Sequence, residues 1–254
     1  MGRTHHRRFL VSPEALTGGQ ASFSLAQARQ ITSVLRLRVG DLVSVFDGAG
    51  REWTARLTAA TPRLAQALLL EERPRAAGSR LRITLAQVVV RGSAMDLIVA
   101  KATELGVSRI SPLEAEHSVR REPAAGREAR WRRIVAEAAE QCGRRCIPEL
   151  DPTRALGSFL SERPADQSLW VCDFATDAVP LTRMCGMEPA PPALAVLIGG
   201  EGGLSPDEVA LATSHGGRLV SLGPRLLRAE TAALAALAVL QACLGDWGET
   251  GRNA

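Results

Sequence analysis

The sequence predicts an α/β domain preceded by a small β-rich domain, and three features carry that reading. Near the carboxy terminus two strand–glycine-turn–helix units follow one another, the first from Ala193 and the second from Arg218. The first ~75 residues instead show short apolar runs with turn residues at close spacing, the habit of a small barrel. Between them EERPRAAGSR (71–80) mixes charge, proline, glycine and serine, a linker composition. We therefore expect one domain over 1–75 and a second over 76–254.

The totals set limits. A chain of 254 residues forms one large domain or two modest ones, and a hydrophobic fraction of 46% is ample for a packed core. No apolar run approaches the ~18–20 residues that cross a bilayer. MGRTHHRRFL has charge but no following apolar segment, so it is no secretory signal; a cytoplasmic location is expected. The five cysteines, Cys142, Cys146, Cys172, Cys185 and Cys243, form no C-x-x-C pair. They are expected as small buried apolar residues, with no metal site. The net charge of +4 hides an asymmetry, because residues 1–80 hold twelve arginines against six acids. A basic first domain on a near-neutral body points to a polyanionic partner.

In chain order, RRFLV (7–11) reads as a strand before a Ser12-Pro13 turn. Gln27–Leu35 reads as a short helix capped by Ser24. VLRLRVGDLVSVFDGAGREWTARL (34–57) alternates around Gly40-Asp41 and Asp47-Gly48, and Asp-Gly between apolar runs signals a hairpin. In the second domain Leu81–Val90 is the first strand, followed by an Arg91-Gly92 turn. Ser93 and Asp96 form a capping-box pattern for the next helix, and Gly106 suits its end. Lys101, the sole lysine beside thirty arginines, is either a solvated helix residue or a functional amine. Val107–Leu113 is the next strand.

A basic stretch, HSVRREPAAGREARWRR (117–133), leads into a helix over Arg127–Cys142. Its apolar row is Trp131, Ile134, Val135, Ala138 and Cys142, and its outer face shows Arg132, Arg133, Glu137 and Glu140. Ser168–Asp173 is a strand, and Pro189–Pro192 a proline-rich connection. Ala193–Ile198 is apolar throughout, the habit of a strand buried on both faces. GGEGG (199–203) then sets four glycines around one carboxylate, costing folding entropy that a plain turn does not require. Ser205, Pro206 and Glu208 start a helix with a capping box. Gly223-Pro224 follows the next strand, and the last helix, Ala229–Leu244, is apolar nearly all round, suiting a core or a partner subunit.

Ligands of open α/β sheets sit at the carboxyl ends of strands, so both glycine turns are expected to line one pocket. G-x-G-x-x-G does not fit, since Ser205 stands where its third glycine belongs, and no G-K-[ST] follows. That argues against a nicotinamide-dependent oxidoreductase and a triphosphate cradle. It favours a nucleoside held by main-chain hydrogen bonds.

VLIGGEGGLSPDE followed by SLGPRLLRAETAAL resembles the RsmE-type family of small-subunit ribosomal RNA uridine-N3 methyltransferases, within the SPOUT superfamily. RRFLV, VLRLRVGD…VFDGAG, MDLIVAKATELGV and EAAEQCGR resemble the same family. Three positions depart from it: Gly200 replaces the usual proline of IGPEGG, Gln30 a frequent histidine, and His117 an arginine. The resemblance implies a PUA-like RNA-binding barrel before a trefoil-knotted α/β domain that dimerises. It also implies S-adenosylmethionine as cofactor and 16S ribosomal RNA as partner.

On that reading Leu197, Ile198, Gly199, Gly200, Glu201, Gly202, Gly203, Leu222, Gly223, Leu226, Leu227 and Thr231 hold the methyl donor. Arg228 stabilises charge on the uracil, and Glu201 is base or orienter. Asp173 approaches the donor. Arg7, Arg8, Arg36, Arg38, Arg120 and Arg121 contact RNA, since planar guanidinium groups suit phosphates and base edges. Two alternatives stay open: another ribosomal or transfer RNA base as target, and an RNA-binding relative without activity.

Overall fold

The computed structural model describes residues 7–74, 79, 81–116, 124–175, 177–187 and 189–248. The chain divides into two compact units, residues 1–78 with 139–147, and residues 79–138 with 148–254.

The first unit is a six-stranded sheet. Its strands β1 (Arg8–Leu10), β2 (Leu16–Thr17), β3 (Gln20–Ser22), β4 (Leu42–Phe46), β5 (Glu52–Thr61) and β6 (Leu64–Glu72) run in the order β1-β4-β5-β6-β3-β2. All neighbours are antiparallel except β1 and β4. Alternating residues turn inward, so Val43, Val45, Ala55, Leu57, Ala65 and Ala67 join Phe9, Phe23 and Ile31 in one apolar cluster. Register shifts at Thr54/Ala55 and Leu57/Ala59 bend the long β5–β6 pair.

Helix α1 (Leu25–Arg29) starts at a complete capping box between Ser24 and Gln27. It passes into a π-turn over Gln30–Val34 instead of continuing as α-helix, and Arg36 follows with φ 55°. The Asp47-Gly48 hairpin is also looser than expected, a loop over 47–51. Asp47 Oδ1 accepts the N–H groups of Ala49 at 2.8 Å and Arg51 at 3.1 Å, and Oδ2 accepts Arg51 Nε at 2.7 Å. Burial pushes the Asp47 carboxyl up, but the Arg51 and main-chain donors outweigh it and hold it below its ordinary value.

Glu52, like Asp47, is a buried charge of this unit. Its side chain is 3% exposed and faces Arg8 Nε at 3.1 Å, Arg145 Nε at 2.7 Å and Arg73 at 3.6 Å. Arg8, 11% exposed, stacks 4.5 Å over the Phe46 ring and donates to the carbonyls of Ala139 and Arg144. The expected RNA contact at Arg8 is therefore corrected. A guanidinium engaged by a carboxylate and main-chain carbonyls has no outward face for a phosphate. Glu140, expected on a solvated helix face, instead accepts the Leu10 N–H at 2.8 Å.

The second unit is an all-parallel sheet between helices. Its strands are β7 (Arg82–Val88), β8 (Arg109–Glu114), β9 (Glu149–Leu150), β10 (Arg154–Ala155), β11 (Ser168–Cys172), β12 (Val179–Pro180), β13 (Ala193–Ile198) and β14 (Gly217–Ser221). They run β10-β8-β7-β13-β11-β14-β12, with β9 beside β8. Helices α2 (Ser93–Glu104), α3 (Ala124–Cys142), α4 (Leu156–Glu162), α5 (Leu181–Met187), α6 (Pro206–Ser214) and α7 (Ala229–Cys243) connect them. Leu156, Phe159 and Leu160 of α4 and Ala212 of α6 cluster with Val88, Leu169, Val171, Ala195 and Leu197. Helix α7 packs on β13, α2 and α5. Strand β13 is buried at every position, as a central parallel strand must be.

Several local expectations shift. Ser93 does not cap α2; Gly92, at φ 53°, takes that position, and Asp96 pairs with Arg130. Helix α3 begins before Arg127 and buries Trp131, Val135 and Ala138, while Ile134 is half-buried and Cys142 exposed. Helix α7 buries one face through Ala233, Ala236, Leu237 and Leu240, leaving Leu234, Ala235, Ala238 and Val239 half-buried. Of the cysteines Cys185 is buried and Cys172 half-buried; Cys142, Cys146 and Cys243 are exposed, and none of the five is in a disulfide. Among the described residues no group of His, Cys, Asp or Glu is arranged to hold a metal, and no helix is long and apolar enough to cross a membrane.

Replacing Glu52 with alanine leaves the largely buried Arg8 and Arg145 without their carboxylate. Losing one partner of a buried ion pair costs about 3–5 kcal/mol. Urea titration should register that loss as a lower unfolding midpoint.

Candidate functional site

Strand register sets the site. Gln87 pairs with Ile198, Ile198 with Cys172, and Cys172 with Val220. Strands β7, β13, β11 and β14 therefore end nearly level, and their following loops leave from one edge. Strands β13 and β14 are separated only by β11, so their loops start about 10 Å apart at the usual inter-strand spacing. Between them lies a cavity of about 470 Å³ lined by both glycine turns and by Cys172, Asp173 and Phe174 of the β11 loop. A second cleft of about 380 Å³ opens near the amino ends of β7, β8 and β13. Arg109 and Arg154 on its wall are engaged by Asp151 and Glu162.

The first glycine turn folds tightly on itself. Gly203 N–H donates to Gly200 O at 3.1 Å. A Cβ on Gly199 would sit 2.7 Å from the Gly203 carbonyl carbon and 3.0 Å from Leu204 N, so only glycine fits. The turn is also tied to its surroundings. Fully buried Gln87 donates Nε2 to Gly199 O at 3.2 Å and to Val88 O at 2.8 Å. Glu201 Oε1 accepts the Arg91 N–H at 2.9 Å, which links the loops after β7 and β13. Beyond it, Ser205 N–H donates to Glu208 Oε2 at 2.9 Å, and Glu208 Oε1 accepts the Glu116 N–H at 2.7 Å.

The second turn is held more lightly. Gly223 adopts φ 105°, and its N–H donates to Ser221 Oγ at 3.2 Å. Arg228 stands at the N-cap of α7; its carbonyl accepts the Ala232 N–H at 2.8 Å, and its side chain makes no cap bond. The exposed Arg228 and Arg225 therefore share the cavity wall with the positive end of a helix. Asp173 and Glu201 supply the opposing charge on that wall.

Of the residues picked from sequence, Ile198, Gly199, Gly200, Glu201, Gly202, Gly203, Leu222, Gly223, Leu226, Leu227, Arg228 and Asp173 line this cavity. Leu197 does not; it points into the apolar cluster shared with α4 and α6. Thr231 is exposed on α7, makes no cap bond and lies off the lining. Arg7, Arg36 and Arg38 are exposed on the first unit. Arg120, Arg121 and His117 lie outside the described residues. Lys101 is held by Glu104 at 2.7 Å.

Sequence reasoning missed Gln87, Cys172, Phe174, Leu204, Arg225, Ala229 and Ala232. Gln87 carried a usable signal, a lone amide in the apolar run LRITLAQVVV. The Cys172 thiol is pushed up to about 12, first by burial and then by the Asp173 charge, so it stays protonated.

A Gly199→Ala substitution forces the first turn open. Overpacking of this kind costs about 1–3 kcal/mol, and thermal unfolding should show a lower midpoint with the cavity loop disordered.

The profile of the RNA methyltransferase domain family matches residues 77–241, and that of the RNA methyltransferase PUA domain matches residues 27–70. The chain is 34% identical over 238 residues to the Ribosomal RNA small subunit methyltransferase E of Synechocystis sp., spanning 93% of this chain and 78% of that protein. The Ribosomal RNA small subunit methyltransferase E of Neisseria gonorrhoeae, solved bound to S-adenosyl methionine, is similar with a TM-score of 0.87 and 35% identity. That match covers 96% of this chain and all (100%) of that one. A Legionella pneumophila methyltransferase, solved with bound cofactor SAM, gives a TM-score of 0.87 and 33% identity over 95% of this chain and 99% of that one. With its PUA-like first unit and α/β methyltransferase second unit, the chain belongs to the ribosomal RNA small subunit methyltransferase E family.

Proposed function

We propose that this protein methylates N3 of a uridine in 16S ribosomal RNA, with S-adenosylmethionine as donor. The observation that carries the reading is one cavity formed by both glycine turns at the level ends of parallel strands. The lining suits that donor: a turn too tight for a side chain at Gly199 leaves main-chain groups open to a nucleoside, and Ile198, Leu222 and Leu227 offer apolar contact. When bound, S-adenosylmethionine supplies an electrophilic methyl group on a sulfonium.

The chain's own residues then deal with the uracil. N3 begins protonated, and its loss of that proton leaves negative charge spread over O2 and O4. Arg228 and the α7 amino terminus stabilise this charge where it develops. Glu201, with one oxygen engaged by Arg91, acts as orienter of the loop and of the substrate; proton acceptance at N3 is its second role. Arg7, Arg36, Arg38, Arg120 and Arg121 contact the ribosomal RNA backbone. The half-buried apolar face of α7 is the proposed dimer contact, and the protein acts in the cytoplasm.

Calorimetric titration with S-adenosylmethionine tests the donor site; a flat trace would favour an inactive RNA binder. Mass spectrometry of 16S ribosomal RNA from a strain lacking the gene should reveal a missing N3-methyluridine, and loss of any other mark would change the target. An Arg228→Ala variant is expected to lose about a hundredfold in kcat, with donor Kd within about twofold of the parent. Equal losses in both would remove Arg228 from the charge-stabilising role.

A further inference from the structure

The chain has five phenylalanines. Phe9, Phe23, Phe46 and Phe159 are buried, whereas Phe174 is 55% exposed. It is also the aromatic residue on the wall of the cavity. Leaving much of such a ring in water is unfavourable relative to burial, and here it falls at a spot where a ligand can cover it.

The loop that carries the ring is anchored at its root. Asp173 N–H donates to Val220 O at 3.0 Å, and Phe174 N–H donates to Asp173 Oδ1 at 2.6 Å. Strand β11 lies between β13 and β14, so Phe174 emerges between the two glycine turns. The exposed wall residues there include a phenyl ring, the 85% exposed Leu226 and the guanidinium groups of Arg225 and Arg228, with the Glu201 carboxylate on the first turn. A flat apolar face beside a cation matches an unstacked pyrimidine, whose face is apolar and whose edge carries carbonyl oxygens.

We propose that Phe174 is the base-stacking residue of this site, its ring covering one face of the target uracil once the nucleotide leaves its RNA stack. The proposal rests on the uridine-methylating reading above and assigns it a specific substrate contact. Stacking of a base on an aromatic side chain is sequence-tolerant, so Phe174 contributes affinity and alignment while polar groups choose the base.

The test compares Phe174→Leu and Phe174→Trp with the parent. The substrates are 16S ribosomal RNA and small subunits from a strain lacking the gene. Phe174→Leu should lower kcat/KM for RNA about ten- to a hundredfold, while the calorimetric Kd for S-adenosylmethionine stays within about twofold. Phe174→Trp should keep most of the activity. Its added fluorescence, taken as the difference from the parent's four tryptophans, should be quenched by the RNA substrate.

Unchanged kcat/KM in Phe174→Leu, a parallel loss of donor affinity, or an unquenched Phe174→Trp would each overturn the stacking role. A parent protein that methylates none of the RNA preparations would instead overturn the uridine-methylating reading. Matching thermal melts of the variants separate stacking from misfolding, and Phe174→Trp reports on the contact even if Phe174→Leu fails to fold.

Discussion

Parallel pairing of β13, β11 and β14 in one register is the constraint on which the site depends. Because Ile198, Cys172 and Val220 lie side by side, the loops after these strands start from a common line. A one-residue slip of β14 would turn its side chains to the other face and displace the second turn by about 3.3 Å. Such a slip would take the buried Val220 out of its present packing, so the apolar core that stabilises the sheet also fixes the cavity's dimensions. Here packing and function rest on the same residues.

The sequence made local elements legible. Ser205 with Glu208 forms the capping box that its spacing implied, and Ser24 caps the first helix as read, because each needs only residues three positions apart. Strand β13 occupies the very span read from its apolar run. Contacts between distant segments were not legible. Arg8 looked like one more surface arginine, but its partners are Glu52, Ala139 and Arg144. Glu140 resembled a solvated helix residue until its carboxylate met the Leu10 amide. Nothing in a charge pattern records which acid will lie under which base after folding.

The candidate site shows the same division at finer grain. A motif marks a stretch, whereas a cavity selects side chains by direction. Ile198 and Leu197 are neighbours, yet successive residues of a strand face opposite sides, so one lines the cavity and the other enters the core. Thr231 lies off the lining although Ala229 and Ala232 of the same helix are on it, because its side chain leaves α7 in another direction. Gln87 was overlooked for the converse reason. It belongs to no glycine motif, and its role is visible only once β7 and β13 are paired and its amide reaches Gly199.

The two turns are built to different stiffness, and this bears on how labour is divided in the cavity. Glycine at position 200 gives up the fixed φ that proline supplies, a difference of about 0.4–1 kcal/mol in chain entropy. The first turn recovers order from outside, through Gln87 on Gly199, Arg91 on Glu201, and the Ser205–Glu208 box below it. The second turn, among the described residues, has the Ser221–Gly223 bond and the start of α7 to hold it, and it leaves Leu226 almost wholly in water. A stiff first turn suits a ligand gripped by main-chain groups, where displacement of one carbonyl or N–H breaks a bond. A compliant second turn suits a large polymer that must bring one base into a narrow opening and then let it go.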